Sequence, residues 1–362
     1  MAITSFSHGA RGIAGVVYNS NAWQTTDTAE TIGASDGIEL YLDQGWPITV
    51  PTRDEVAIAH GSTLQIPSVK TGEKWEGTFS TTCPYYMASH VMIANWWGTE
   101  STAQQGATAA YKHSFSFDED AEGLVMSGGL SDRIRLREVP HFKAEKMKYI
   151  FEQGKVGRIE WGVVGKREIV DDSGTNGLAA FDAAVTFLTQ PTIRYPIINS
   201  SQFVCRIRAS ADGALGADHK RYPERIELNF ERNFKRFSRT DTGLYISEPV
   251  GGDWRLMGGQ LDFPVDDTTA DWAWLRDGTG LKMDITATGT LIEATYYYEM
   301  FWQYPYIELS GDGLPVVNTA DVLTTRFPFI ARTATAAPTG MTTTEPTMTI
   351  TDVRTTDWIT YT

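Results

Sequence analysis

At 362 residues, 41% of them hydrophobic and 12% aromatic, the chain suits two domains or one large β domain, and neither needs a disulfide or metal staple. A formal net charge of −14 repels phosphate at long range, which excludes sequence-independent nucleic-acid binding. Cys83 and Cys205 are the only cysteines and have no zinc-like spacing, so they read as two free, buried thiols in a reducing cytoplasm. The start, MAITSFSHGARGIAGVVYNS, has no basic segment followed by an apolar run, and no apolar stretch reaches the length of a membrane span. The expectation is a chain made and folded in the cytoplasm, with no membrane partner.

In chain order, residues 1–35 read as a Gly-, Ser-, Thr- and Ala-rich arm with one apolar patch from Ile13 to Tyr18. Strand-like alternation at 38–42 precedes the turn Gln44-Gly45-Trp46-Pro47, and 56–66 is a strand pair broken at Gly61. Residues 82–98 predict a helix. Pro84 suits its first turn, Tyr85, Ala88, Met92 and Trp96 form one stripe, and Gly98 closes it. Asp267 or Thr268 caps a shorter counterpart carrying Trp272, Trp274 and Leu275.

An aromatic strand follows each helix: Tyr111, His113, Phe115 and Phe117 in one case, and Tyr296, Tyr298, Met300 and Trp302, ending at Pro305, in the other. Bulky residues at period two mean one face in a core. Residues 147–151 and 158–163 predict a hairpin around Gly154-Lys155. Residues 171–177 read as a linker, while 178–189 fit helix, strand or folded linker alike. From Arg332 the chain is Thr-, Ala- and Pro-rich, which predicts an extended arm, a linker or disorder. Trp358, Ile359 and Tyr361 near its end suggest an arm that docks.

The chain also repeats itself. Ile38-Glu39-Leu40 recurs as Ile226-Glu227-Leu228, and an offset of 182 residues places Gly61 on Gly243, Leu64 on Ile246, Pro67 on Pro249, Gly77 on Gly259, Phe79 on Leu261 and Gly98 on Gly280. Half a chain is too long for a solenoid unit, so the repeat reads as a duplicated domain. The expected divisions are an arm at 1–35, one copy at 36–172, a linker and second copy at 173–330, and a Thr-rich arm at 331–362.

A search for chemistry assigns no catalytic, cofactor-binding or metal-binding residue. His8, His60, His90, His113, His141 and His219 have neither HxH nor HxxxH spacing, and packing or surface positions account for them. Asp118, Glu119, Asp120 and Glu122 lack the EF-hand pattern and read as an acidic hairpin tip. Asp266-Asp267 reads as capping and dipole residues rather than half of a glycosidase pair. Gly251-Gly252 and Gly258-Gly259 read as turn and strand-bulge glycines. Lys143, Lys146, Lys148, Lys155 and Arg158 form a mild basic cluster, which is either a solvated, ion-pairing face or a contact with an acidic neighbouring subunit.

The order of strand, Pro-turn, Gly-containing strand (Trp75-Glu76-Gly77-Thr78-Phe79 and Met257-Gly258-Gly259-Gln260-Leu261), helix and aromatic strand resembles the major tail tube proteins of long-tailed, non-contractile phages. The likeness spans residues 36–330 and is strongest over 225–330, on pattern rather than on a signature motif. It implies a mainly β fold of two tandem tail-tube-like β-sandwich domains, each with one flanking helix, joining across subunits into a β-barrel. It also implies a virion structural protein without enzymatic activity or cofactor. Three duplicated chains, or six chains, would form rings that stack into a tube, with the tape measure protein and tail terminator as partners and DNA passing an acidic lumen. The competing expectations are a tail terminator, baseplate ring or capsid decoration protein, a carbohydrate-binding β module, and a jelly-roll glycoside hydrolase.

Overall fold

The computed structural model describes residues 13–20, 23, 30, 32, 36–40, 46–47, 49–54, 69–118, 123–131, 136–171, 198–237, 245–252, 255–264, 273–274, 277–310, 315–317 and 323–359. The expected strand pair at 56–66, most of the linker at 171–177, the segment 178–189, and Asp267, Thr268, Trp272 and Leu275 of the second helix lie outside them.

In chain order the first half holds β1 (Ile13–Asn19), β2 (Gly37–Ile38), β3 (Thr49–Asp54), β4 (Val69–Thr82), α1 (His90–Trp97), β5 (Gly98–Gln104), β6 (Tyr111–Phe117), β7 (Val125–Ser131), β8 (Leu136–Glu152), β9 (Arg158–Gly165) and β10 (Ile169–Asp171). The second half holds β11 (Phe203–Ala209), β12 (Lys220–Arg221), β13 (Arg225–Glu231), β14 (Phe234–Lys235), β15 (Val250–Gly251) and β16 (Leu256–Pro264). It continues with β17 (Leu281–Glu293), β18 (Tyr296–Leu309), β19 (Pro315–Val317), β20 (Leu323–Arg332) and β21 (Thr347–Asp352).

Two long strands organise this set by changing neighbours along their length. The first part of β8 pairs with β7 and β10, while its second part lies between β9 and β13. Similarly, β18 keeps β17 on one edge, but its other edge meets β21 from Glu299 to Gln303 and β20 from Tyr306 to Leu309. Pro305 falls at the changeover, beside a register irregularity between Met283 and Leu281. A residue with no N–H is tolerated where the ladder is already broken. The strand expected to end at Pro305 therefore runs through it to Leu309.

The mainly β expectation holds, but two tandem sandwich domains joining into a barrel is corrected: the sheets are open. Among the described residues β3 pairs only with β4, β5 only with β6, and β12 only with β11, so these strands stand at edges. Neither are the halves separate in their hydrogen bonding. β13 continues the ladder from β8, and β21 lies between β6 and β18. The run β4-β9-β8-β13-β16-β20 and the run β5-β6-β21-β18-β17-β11 face each other across aromatic side chains. Trp302 of β18 meets Tyr149 at 5.3 Å and Phe151 at 6.0 Å, and the Tyr149 hydroxyl donates to the Met348 sulfur of β21 at 3.7 Å.

Some of the repeat positions fall on or beside strands. Gly77 lies on β4 and Gly259 on β16, and Phe79 and Leu261 are both fully buried. Gly98 opens β5, and Gly280 immediately precedes β17. Gly258 and Gly259 lie within a regular strand rather than at a bulge, and a Cβ on Gly259 would come within 2.0 Å of the Glu227 carbonyl. Close backbone approach is why glycine stands there.

The helix is shorter than its apolar stripe predicts. Residues 83–89 form a bridge, bends and turns, and α1 begins at His90 after Ser89. All eight helical residues are buried, so the stripe reported burial on every side rather than one amphipathic face. Gly98 ends the helix at φ 96°, and a Cβ there would lie 2.8 Å from the Asp118 Cβ. Gly98→Ala should cost about 1–3 kcal/mol from the left-handed backbone and this crowding. Urea unfolding checks it, and a variant as stable as the parent contradicts the geometry.

The basic cluster is spent within the chain. Lys146 pairs with Glu231 at 2.6 Å, Lys148 with Glu227 at 3.0 Å and Arg158 with Glu160 at 3.2 Å, while Lys155 pairs with Glu152 and Lys143 with Glu248 at 2.5 Å. Ion pairing within the chain is thus observed for all five residues. Cys83 and Cys205 are free and buried, and burial raises both thiols far above their ordinary range.

Glu138 of β8 is 5% exposed, and burial raises its carboxyl to about 7. The folded chain then holds a proton that the unfolded chain releases nearer pH 4.5. Stability is full below that lower value, falls as pH rises towards 7, and stays reduced above it. The loss is on the order of 3 kcal/mol. Glu138→Gln should remove this slope and make the protein more stable than the parent at pH 8. Parallel unfolding curves at pH 5 and pH 8 decide it, and an unchanged slope in the variant refutes the assignment.

Candidate functional site

Carboxylates and imidazoles gather where α1, β5, β6 and β21 meet the C-terminal segment. β6 places His113 on its buried face, as the period-two pattern predicts, but that face holds more than aromatic rings. Across the β5–β6 ladder His113 is opposite Thr102, and across the β6–β21 ladder it is opposite Ile350. Glu100 comes from β5, Asp352 from the end of β21, Asp357 from the segment beyond it, and His90 from the first turn of α1. The Glu100, His113 and Asp352 side chains are fully buried.

His113 is held through both ring nitrogens. Nδ1 lies 2.8 Å from Glu100 Oε1 and 2.9 Å from Thr102 Oγ1. Nε2 lies 3.1 Å from Asp352 Oδ1 and 3.1 Å from the Arg354 carbonyl. Burial by itself lowers the imidazole, but the hydrogen bonds to Asp352 and Glu100 outweigh it and raise His113 to about 9. Burial likewise raises Asp352, yet His113 and His90 together hold it below the usual carboxylate range. The geometry is that of an imidazolium donating to two carboxylates.

The same groups tie down the C-terminal segment. Asp352 Oδ1 accepts from the Arg354 amide at 2.7 Å, and Glu100 Oε2 accepts from the Trp358 amide at 2.7 Å. The Thr102 hydroxyl donates to Asp357 Oδ1. Trp358 is 3% exposed, lies edge-on to His90 at 5.2 Å, and carries the Arg354 guanidinium 3.9 Å above its ring. The expectation of an arm that docks thus has a concrete form in the described residues, because the Trp358 end folds back on the chain's own β5 and β6. On the far side, His90 Nδ1 and Asp352 Oδ2 face each other at 3.8 Å, each without a hydrogen bond among the described residues.

Glu100, His113 and Asp357 each have a ligand-type atom within 4.8 Å of those of the other two. The residues weighed from sequence fare differently. His113 and His90 come together here. Asp118 meets the Arg232 guanidinium through its carbonyl at 2.9 Å, while Glu119, Asp120, Glu122, Asp266 and Asp267 lie outside the described residues. Sequence reasoning missed the cluster because its members, at 90, 100, 113, 352 and 357, have no local spacing. The one available signal was a histidine on the buried phase of a strand with a glutamate on the preceding one.

Comparison with protein-family models and with curated proteins finds no match to this chain.

Proposed function

We propose that this chain is a non-enzymatic structural subunit of a phage tail, of the tail-tube class, which assembles with copies of itself. The observation that carries the reading is the outer half of the β17–β18 hairpin. Its inner half is buried through Ala287 and Met300, but beyond them Leu291 and Tyr297 pair across the strands at 50% and 46% exposure. A hairpin long enough to leave the core, carrying an apolar cross-strand pair at its end, suits burial against a neighbouring subunit.

Other features agree with this reading. The only cluster of reactive side chain types noted above is buried and spent on holding the chain together. The charge of −14 suits a protein past which DNA must slide without sticking. Two sequence copies per chain favour rings of three chains over rings of six, with a tape measure protein inside the tube, a tail terminator at its end, and the virion tail as the final location. The tail terminator, baseplate ring and decoration roles share most of this support.

Electron microscopy and sedimentation of the purified chain test the reading. Rings or tubes with a regular repeat are expected, and Leu291→Glu combined with Tyr297→Glu should leave a folded monomer. A parent protein that stays monomeric at high concentration overturns self-assembly. A basic channel in any assembled form overturns the DNA-conducting role.

A further inference from the structure

The geometry points to a divalent-cation site formed by His113 Nδ1, the Glu100 and Asp357 carboxylates and the Thr102 hydroxyl, suited to a first-row ion such as Zn2+. Such an ion takes imidazole nitrogen and carboxylate oxygen at about 2.0–2.2 Å. Ligand atoms on one ion then lie roughly 3–4 Å apart. Here Nδ1 is already 2.8 Å from Glu100 Oε1 and 2.9 Å from Thr102 Oγ1, and the Asp357 oxygen lies within 4.8 Å of both His113 and Glu100. Side-chain shifts of under about 1 Å would complete the coordination distances.

Two further observations point to a cation. The first lies on the other side of the ring, where Nε2 is 3.1 Å from Asp352 Oδ1 and 3.1 Å from the Arg354 carbonyl. With both acceptors there, Nε2 carries the proton, and Nδ1 is the nitrogen turned towards Glu100 and Asp357. A carboxylate behind a histidine is the usual outer partner of a metal-ligating imidazole, fixing its tautomer and orientation.

The second is charge. Glu100, Asp352 and Asp357 bring three carboxylates together among His113, His90, which faces Asp352 Oδ2 at 3.8 Å, and the Arg354 guanidinium, so the site is rich in groups that attract a cation. A dication on Nδ1 takes the place of a proton, which leaves to solvent. The ion would join the C-terminal segment, through Asp357, to β5 and β6.

The test uses the full-length, tag-free chain with Zn2+ as probe. About one equivalent should survive gel filtration, and Glu100→Gln and Asp357→Asn should each abolish retention. Asp352→Asn, which keeps all the ligand atoms and removes the charge of the outer partner, should weaken binding by about 10–100-fold. Should a variant fail to fold, imidazole 15N NMR of the parent decides. Zn2+ must move the His113 Nδ1 resonance while Nε2 keeps its proton, and it must raise the melting temperature. Failure to retain Zn2+, retention unchanged in both ligand variants, or a shift at another histidine overturns the site.

Discussion

Trp302→Ala should destabilise the protein by about 3–5 kcal/mol, the usual cost of emptying a buried tryptophan site. Trp302 is 1% exposed and lies where the two facing runs of strands meet. It reaches Tyr149 and Phe151 of β8 and Phe203 of β11, with ring centroids at 5.3, 6.0 and 6.5 Å. These neighbours are large and rigid, and each is held by its own ladder, so the vacated volume cannot collapse. Trp302→Phe keeps the ring contacts and should recover more than half of the loss. Urea unfolding followed by far-ultraviolet circular dichroism measures both. A loss below about 1 kcal/mol for the alanine variant would mean that the two runs do not pack through this residue.

Asp352→Ala should cost about as much, about 3–5 kcal/mol, through electrostatics rather than volume. It removes the acceptor for His113 Nε2 and for the Arg354 amide, and leaves a buried imidazole facing a hole. Asp352→Asn keeps an acceptor oxygen without the charge and should cost less, about 1–3 kcal/mol. Hydrogen exchange adds a local reading. Amides of β21 should lose protection in the alanine variant before those of β8, because Asp352 closes the end of β21. If Ala and Asn cost the same, the lost charge, which both variants share, carries the whole effect and the acceptor oxygen none of it. If neither costs anything, the cluster does not hold the C-terminal segment.

Much of the fold was legible because it rests on local period. The alternation of Tyr111, His113, Phe115 and Phe117 produced β6 with its bounds intact, and the hairpin around Gly154 joins β8 to β9. Other elements were misjudged for identifiable reasons. Residues 82–98 carry a helical stripe, but residues 78–82 are committed to the β4–β9 ladder, so the helix waits until His90. The C-terminal segment looked too poor in large side chains to form structure. Its Met348 and Ile350 nevertheless alternate with Thr347, Thr349 and Thr351, and a threonine-rich strand needs only two such anchors when strands wait on both sides.

What the amino-acid sequence determined by itself is what adjacent side chains decide: a mainly β chain with an apolar helix before Gly98 and free thiols, acidic overall. Only the tertiary structure decided the open sheets, the two strands that change partners, and the meeting of Glu100, His113, Asp352 and Asp357. The physical reason is one of range. Periodicity and turn chemistry act over a few residues, whereas a ladder register or a buried charge cluster sets residues 239 apart, such as His113 and Asp352, within 3.1 Å of each other. No spacing along the chain encodes that distance until the strands between them have paired.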